Sequence, residues 1–108
     1  MDLQEYLDEK GRSPFENWFN RINAQAAAKV TTALVRLESG NTSNTKSPGS
    51  GVYELKIDYG PGYRVYFGYD GLKVVVLLAG GTKKRQEKDI ETAKKRWTNY
   101  KERKKKEI

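Results

Sequence analysis

A chain of 108 residues, 36% hydrophobic and 32% charged, is long enough for one core and too short for two, so residues 1–108 read as a single domain. It contains neither cysteine nor histidine, which excludes disulfides, thiolate nucleophiles, thiolate metal sites and Ser/His or Cys/His couples. A general base would have to be a carboxylate, a tyrosine or a lysine. The net charge of +7 is unevenly placed: residues 1–82 balance nine bases with nine acids, whereas residues 83–108 hold twelve bases and five acids. That excess points to a polyanionic partner, nucleic acid first, or else to a solvated C-terminal helix.

Taken in chain order, Met1–Tyr6 is too short to assign by periodicity. Its Asp2, Gln4 and Glu5 are unlike a signal peptide, and the longest apolar run, Val74–Ala79, falls far short of the ~20 residues that span a bilayer. A cytoplasmic protein is expected. Ser13-Pro14-Phe15-Glu16 reads as a helix start, with Ser13 accepting from the Glu16 amide and Pro14 in the first turn. Phe15, Trp18, Phe19 and Ile22 follow at helical spacing on one face. A second helix is expected from about Ala24 to Ser39, with Ala27, Val30, Leu34 and Leu37 on one side and a stop at Gly40, making a helical hairpin. Gly40–Gly51 has no apolar residue and reads as a mobile loop.

Val52–Tyr59 and Tyr63–Tyr69 then alternate as strands. Tyr53, Leu55, Ile57, Tyr63, Val65 and Phe67 face the core, while Glu54, Lys56, Asp58, Arg64 and Tyr66 face away. Gly60-Pro61-Gly62 reads as a three-residue hairpin loop and Asp70-Gly71 as a two-residue turn into a third strand, Leu72–Ala79, apolar enough to be covered on both faces. The last helix is expected from about Gln86 to Arg103, with Ile90, Ala93, Trp97 and Tyr100 inward and residues 104–108 a frayed basic tail. Its acids lie near the start and its bases near the end, as the helix dipole prefers.

These turn lengths set a register in which Asp58 faces Arg64, Lys56 faces Tyr66 and Arg64 faces Leu77. Lys56, Arg64, Tyr66 and the loop Lys83-Lys84-Arg85-Gln86 should then converge on one concave patch. Singly, each has a plain structural explanation: Arg64–Asp58 as a surface ion pair worth under about 1 kcal/mol, Tyr66 as a surface aromatic, Lys83–Arg85 as a solvated approach to the helix. Their convergence is what those explanations leave over.

The segments "GVYELKIDYGPGYRVYF" and "LLAGGTKKRQEKDIETAKKRW", with "GRSPFENWFNRI" and "RLESGNTSNTKS" before them, resemble the RelE/ParE superfamily of toxin–antitoxin toxins, in the HigB-like branch of addiction module killer proteins. The resemblance implies an α+β fold: an N-terminal strand at about Met1–Tyr6, a two-helix hairpin, a three-stranded antiparallel meander and a C-terminal helix. It implies a metal-independent, cofactor-free mRNA endoribonuclease that acts on the ribosome and is neutralised by a cognate antitoxin, of helix-turn-helix type. ParE-like members instead poison DNA gyrase, and fold alone does not choose between these or a non-catalytic RNA- or antitoxin-binding module. By position, Arg64 matches the strand arginine that contacts the scissile phosphate, Lys56 a strand position usually basic, and Lys83, Lys84, Arg85 and Gln86 the basic loop. No C-terminal histidine and no tyrosine directly after the last strand are present, so the general acid and base stay open between Lys56 and Lys84. Clustered cations disfavour one another's protonated forms, the direction a base requires. Lys83, Arg85, Gln86 and Tyr66 are expected to bind RNA, Tyr66 by stacking on a splayed base.

Overall fold

The computed structural model describes residues 1–107. In order they form β1 (Asp2–Glu5), α1 (Pro14–Phe19), α2 (Ala24–Glu38), β2 (Thr45–Gly49), β3 (Val52–Ile57), β4 (Tyr63–Asp70), β5 (Val74–Thr82), a 3-10 turn (Lys83–Arg85) and α3 (Gln86–Lys106). The expected α+β fold is present, with one strand more than the sequence announces. No helix among the described residues is long and apolar enough to cross a membrane.

Local chemistry sets the helix ends. Ser13 Oγ accepts from the Glu16 amide at 3.0 Å and Asn23 Oδ1 from the Ala26 amide at 2.8 Å, each satisfying a donor the helix itself leaves free. Gly40, at φ +96°, ends the α2 segment in a conformation that costs glycine little. α1 is shorter than its apolar stripe and closes at Phe19, so Ile22 reaches the core from the connection.

The sheet order is β1-β5-β4-β3-β2, with β1 parallel to β5 and the other neighbours antiparallel. α1 lies over β5 and α2 over β3, burying Phe15, Val30 and Leu37 against Leu55, Val65 and Phe67. α3 covers the opposite face, where Ala93 and Trp97 close over Val52, Tyr66, Val76 and Leu78. Both faces of the sheet are therefore apolar, which accounts for the unbroken run in β5. Gly68 makes the second layer fit: a Cβ there would stand 2.7 Å from the Trp97 ring.

Four expectations are corrected. Residues 45–49, read as part of a mobile loop, form edge strand β2, paired through Thr45↔Leu55 and Lys46↔Glu54. An edge strand needs little apolar signal, and Pro48 is tolerated there. The β3–β4 loop is Asp58–Gly62 rather than Gly60–Gly62, so Lys56, not Asp58, faces Arg64, and Glu54 faces Tyr66. Tyr59 stays in the loop, its carbonyl accepting from the Gly62 amide and its hydroxyl donating to Gln25 Oε1 on α2, each at 3.0 Å, and Gly60 and Gly62 take positive φ. On the other side of β4 the turn is Gly71–Lys73, and the register shifts between Tyr66↔Ala79 and Phe67↔Leu77, so Arg64 faces Gly81. Leu78 is the extra residue of this bulge, and Leu78 and Ala79 both join the α3 side. Finally, Lys104–Lys106 continue α3 instead of fraying; the last residue of the expected tail, Ile108, lies outside the described residues.

Candidate functional site

Covering the second face with α3 changes the surroundings of three residues expected to point to solvent, while Lys56 and Asp58 stay exposed. Arg64 is 5% exposed, and Tyr66 and Glu54 are fully buried. Glu54 is the centre of the group. Its Oε1 accepts from Gln86 Nε2 at 2.7 Å and from the Tyr66 hydroxyl at 3.1 Å. Arg64 Nε stands 3.7 Å from the same oxygen, and Lys46 Nζ on β2 stands 3.3 Å from Oε2. The two cations meet Glu54 as charges, since neither Oε2 nor Arg64 Nε has hydrogen-bond geometry. An ionised carboxylate wholly out of water is tolerable only with such partners.

Tyr66 is therefore corrected from an RNA-stacking aromatic to a buried hydrogen-bond donor. Burial, followed by the charge of Glu54, pushes its hydroxyl pKa well above the ordinary phenol value. Gln86 is likewise engaged inward. The Arg64 guanidinium donates through Nη1 to the Tyr63 carbonyl at 3.2 Å.

Around this buried group the remaining cations are arranged at the surface. Lys56 is exposed on β3 and its Cα is paired with that of Arg64. The Lys83 amide donates to the Gly62 carbonyl at 2.7 Å, tying the 3-10 turn to the β3–β4 loop. A Cβ on Gly62 would lie 3.3 Å from Arg64 Nη1 and 3.4 Å from Lys83 Cβ. Gly62 thus sits where Arg64 and Lys83 approach each other, and any side chain there would crowd the guanidinium. Lys83, Lys84 and Arg85 are exposed, and with Gln86, Glu87 and Lys88 they line a hollow at the start of α3. Arg64, Lys56, Lys83 and Gln86 are thereby brought together, while Lys84 and Arg85 belong to the adjoining basic turn.

Two participants escaped the sequence reading. Lys46 was hidden because β2 resembles a loop. Glu54 was hidden because a glutamate at an alternating position reads as solvent-facing. The signal for Glu54 was indirect: a fully apolar β5 together with the stripe Ile90, Ala93, Trp97 and Tyr100 requires a covered second face, and Glu54 lies on it.

Residues 17–98 match the family described as Phage derived protein Gp49-like (DUF891). The chain belongs to this family. The matched span includes Glu54, Arg64, Gln86 and the whole 3-10 turn, and it leaves out β1 and the end of α3. This Gp49-like chain is 43% identical over 81 residues to an uncharacterized protein of Haemophilus influenzae (strain ATCC 51907 / DSM 11121 / KW20 / Rd), aligned over 74% of this chain and 82% of the relative.

Proposed function

We propose that this Gp49-like protein is the toxin of a type II toxin–antitoxin module, of the HigB-like branch of the RelE/ParE superfamily, and that it cleaves mRNA on the ribosome. The family is one associated with toxin–antitoxin (addiction module killer) proteins. The observation that carries the chemical reading is the approach of the Arg64 guanidinium and the Lys83 stem to each other at Gly62, with Lys56 paired to Arg64: cations gathered in this way suit a phosphate.

In this mechanism the 2′-OH of one nucleotide attacks the adjacent phosphorus and the P–O5′ bond breaks. The products are a 2′,3′-cyclic phosphate and a 5′-OH. Arg64 braces the charge that develops on the phosphoryl oxygens, and its restraint by the Glu54 carboxylate fixes it beforehand, so little reorganisation is needed during reaction. Lys56 or Lys84, in its neutral form, takes the 2′-OH proton, and a second proton carrier serves the departing 5′ oxygen. Glu54 is a positioning residue, because it holds Arg64 and Gln86 and does not itself reach the surface. The ribosome supplies orientation of the strand, so free RNA should be a poor substrate. A cognate antitoxin offering acidic side chains to the basic turn would block the same cations.

The test is translation-dependent cleavage mapped by primer extension. Lys84→Ala, at an exposed position, is expected to leave the fold unchanged and to slow cleavage. Arg64→Ala should slow it by about 100-fold or more, with circular dichroism used to check that Glu54, now lacking a cation, has not unfolded the chain. Cleavage by both folded variants at the parental rate would sink the proposal, as would DNA breaks with intact mRNA, the signature of gyrase poisoning.

A further inference from the structure

A second feature lies on the far side of β5. β1 accompanies β5 only as far as Glu5↔Leu77, so beyond Leu77 the outer edge of β5 has no neighbouring strand. The gap between α1 and α3 along this open edge is a cleft whose floor includes Gly80 and Gly81 and whose charged lining is Arg21, Arg85 and Arg96 with Asp8 and Asp89. Both glycines let a neighbouring side chain pack directly on the backbone of β5, since a Cβ on Gly80 would collide with Trp18 and one on Gly81 with the Asp89 carboxylate.

The charges in the cleft sit near one another without closing an ion pair: Asp89 and Asp8 both act on Arg96 from beyond contact distance. Among the described residues no carboxylate lies within ion-pair distance of Arg21, Arg85 or Arg96, and no cation within that distance of Asp89. Arg96 is half-buried, its Nη1 spent on the Leu78 carbonyl at 2.8 Å, and burial disfavours its charged form. Asp89 Oδ2 is sealed and without a partner, which leaves Oδ1 as the oxygen able to face the cleft. A desolvated guanidinium whose carboxylate neighbours stay out of contact gains from an incoming anion, and a carboxylate without a donor gains from an incoming N–H. One ligand that supplies both is a nucleotide. Arg85 also lines the basic hollow of the 3-10 turn, so the two concavities share a wall, and a strand lying across the turn would enter the cleft next.

We propose that the cleft is a subsite for one nucleotide of the RNA strand: its phosphate lies on Arg85 and Arg96, and its base presents an exocyclic amino group to Asp89, which favours adenine, cytosine or guanine over uracil. This rests on the RNA-cleaving reading above and adds a base preference that the cations gathered at Gly62 do not supply. Uracil offers two carbonyl oxygens and one imino N–H where the other bases offer an NH2, and a carboxylate repels the carbonyls.

The experiment is a titration of the full-length chain with AMP, CMP, GMP and UMP, followed by amide and guanidinium 15N shifts. Saturable shifts at Gly80, Gly81 and the Arg96 side chain, with UMP at least ~5-fold weaker than the best of the other three, are expected. Asp89→Asn, whose amide can donate to a uracil carbonyl, should level that preference, and Arg96→Gln should weaken all four. Equal binding of UMP, shifts confined to Lys83–Lys88, or no saturation would overturn the subsite. So would shifts produced by a glutamate-rich peptide and by no nucleotide, which would mark the cleft as a protein-docking edge. The two proposals fail separately. If Arg64→Ala abolishes cleavage while the cleft is silent, the subsite falls alone; if the cleft selects nucleotides while cleavage ignores Arg64, the phosphate site falls and the nucleotide cleft stands.

Discussion

Glu54 is a carboxylate held wholly out of water by two hydrogen-bond donors and two cations. Glu54→Gln keeps the volume but leaves the buried Arg64 without its counter-charge, so the expected loss of stability is about 3–5 kcal/mol, read as a lower urea midpoint with an unchanged slope. An unchanged midpoint would show that Arg64 is compensated from elsewhere. Asp89 behaves in the opposite sense. Burial, the largest effect, holds its pKa above the ordinary carboxylate value despite Arg85, Arg96 and Lys88 nearby. The native state therefore keeps this proton to a higher pH than the unfolded chain does. Its contribution is most favourable below the unfolded value and declines as pH rises through the raised native one. Asp89→Asn should accordingly raise the melting temperature at pH 7 relative to the parent and lose that advantage near pH 4. A variant that is equally displaced at both pH values would contradict the assignment.

Among the elements, α3 does the most to define the molecule, since it makes a second core where the β-strand alternation by itself shows one. Gly68→Ala tests that contact directly. Its Cβ must enter the Trp97 ring, and overpacking of this kind costs about 1–3 kcal/mol, visible as a lower melting temperature and altered near-ultraviolet dichroism. Elements with their own local code were legible: the Ser13 cap, Gly40 as the stop, the alternation of β3 and β4, and the stripe of α3. Those that depend on distant partners were not. The two-residue offset of the β3–β4 register comes with a loop that runs from Asp58 to Gly62 and places Tyr59 against Gln25 of α2, a contact invisible in the local pattern. β2 is held by backbone pairing and by Ser47 donating to the Val52 carbonyl at 2.9 Å, neither of which leaves an apolar trace. For the site, the list of cations was readable, but which of them are buried depended on where α3 lies. Tyr66 and Glu54 therefore exchanged the roles their alternation suggests, the aromatic becoming structural and the acid organising.

At the scale of the whole molecule, the charge excess gathered in residues 83–108 predicts affinity for single-stranded RNA that falls steeply with salt. Each phosphate contact contributes about −0.7 to the slope of log K against log salt, so replacing Lys83, Lys84 and Arg85 together by Gln should flatten the slope by about 2. A slope that stays the same in filter binding at several salt concentrations would move the RNA footprint away from the 3-10 turn.

The parallel pairing of β1 with β5 has a consequence in time. Asp2 is synthesised well before its partner Val74, and α3, which seals Glu54 and Arg64, is made after all five strands. A chain emerging from the ribosome thus holds β1 unpartnered until β5 is made and an open second face until α3 follows. Contacts so distant in sequence also form slowly. Nascent chains stalled before residue 86 should therefore remain protease-sensitive, with resistance arising only once α3 is made; under the proposed function, that delay is an interval in which an antitoxin already present can meet its partner first.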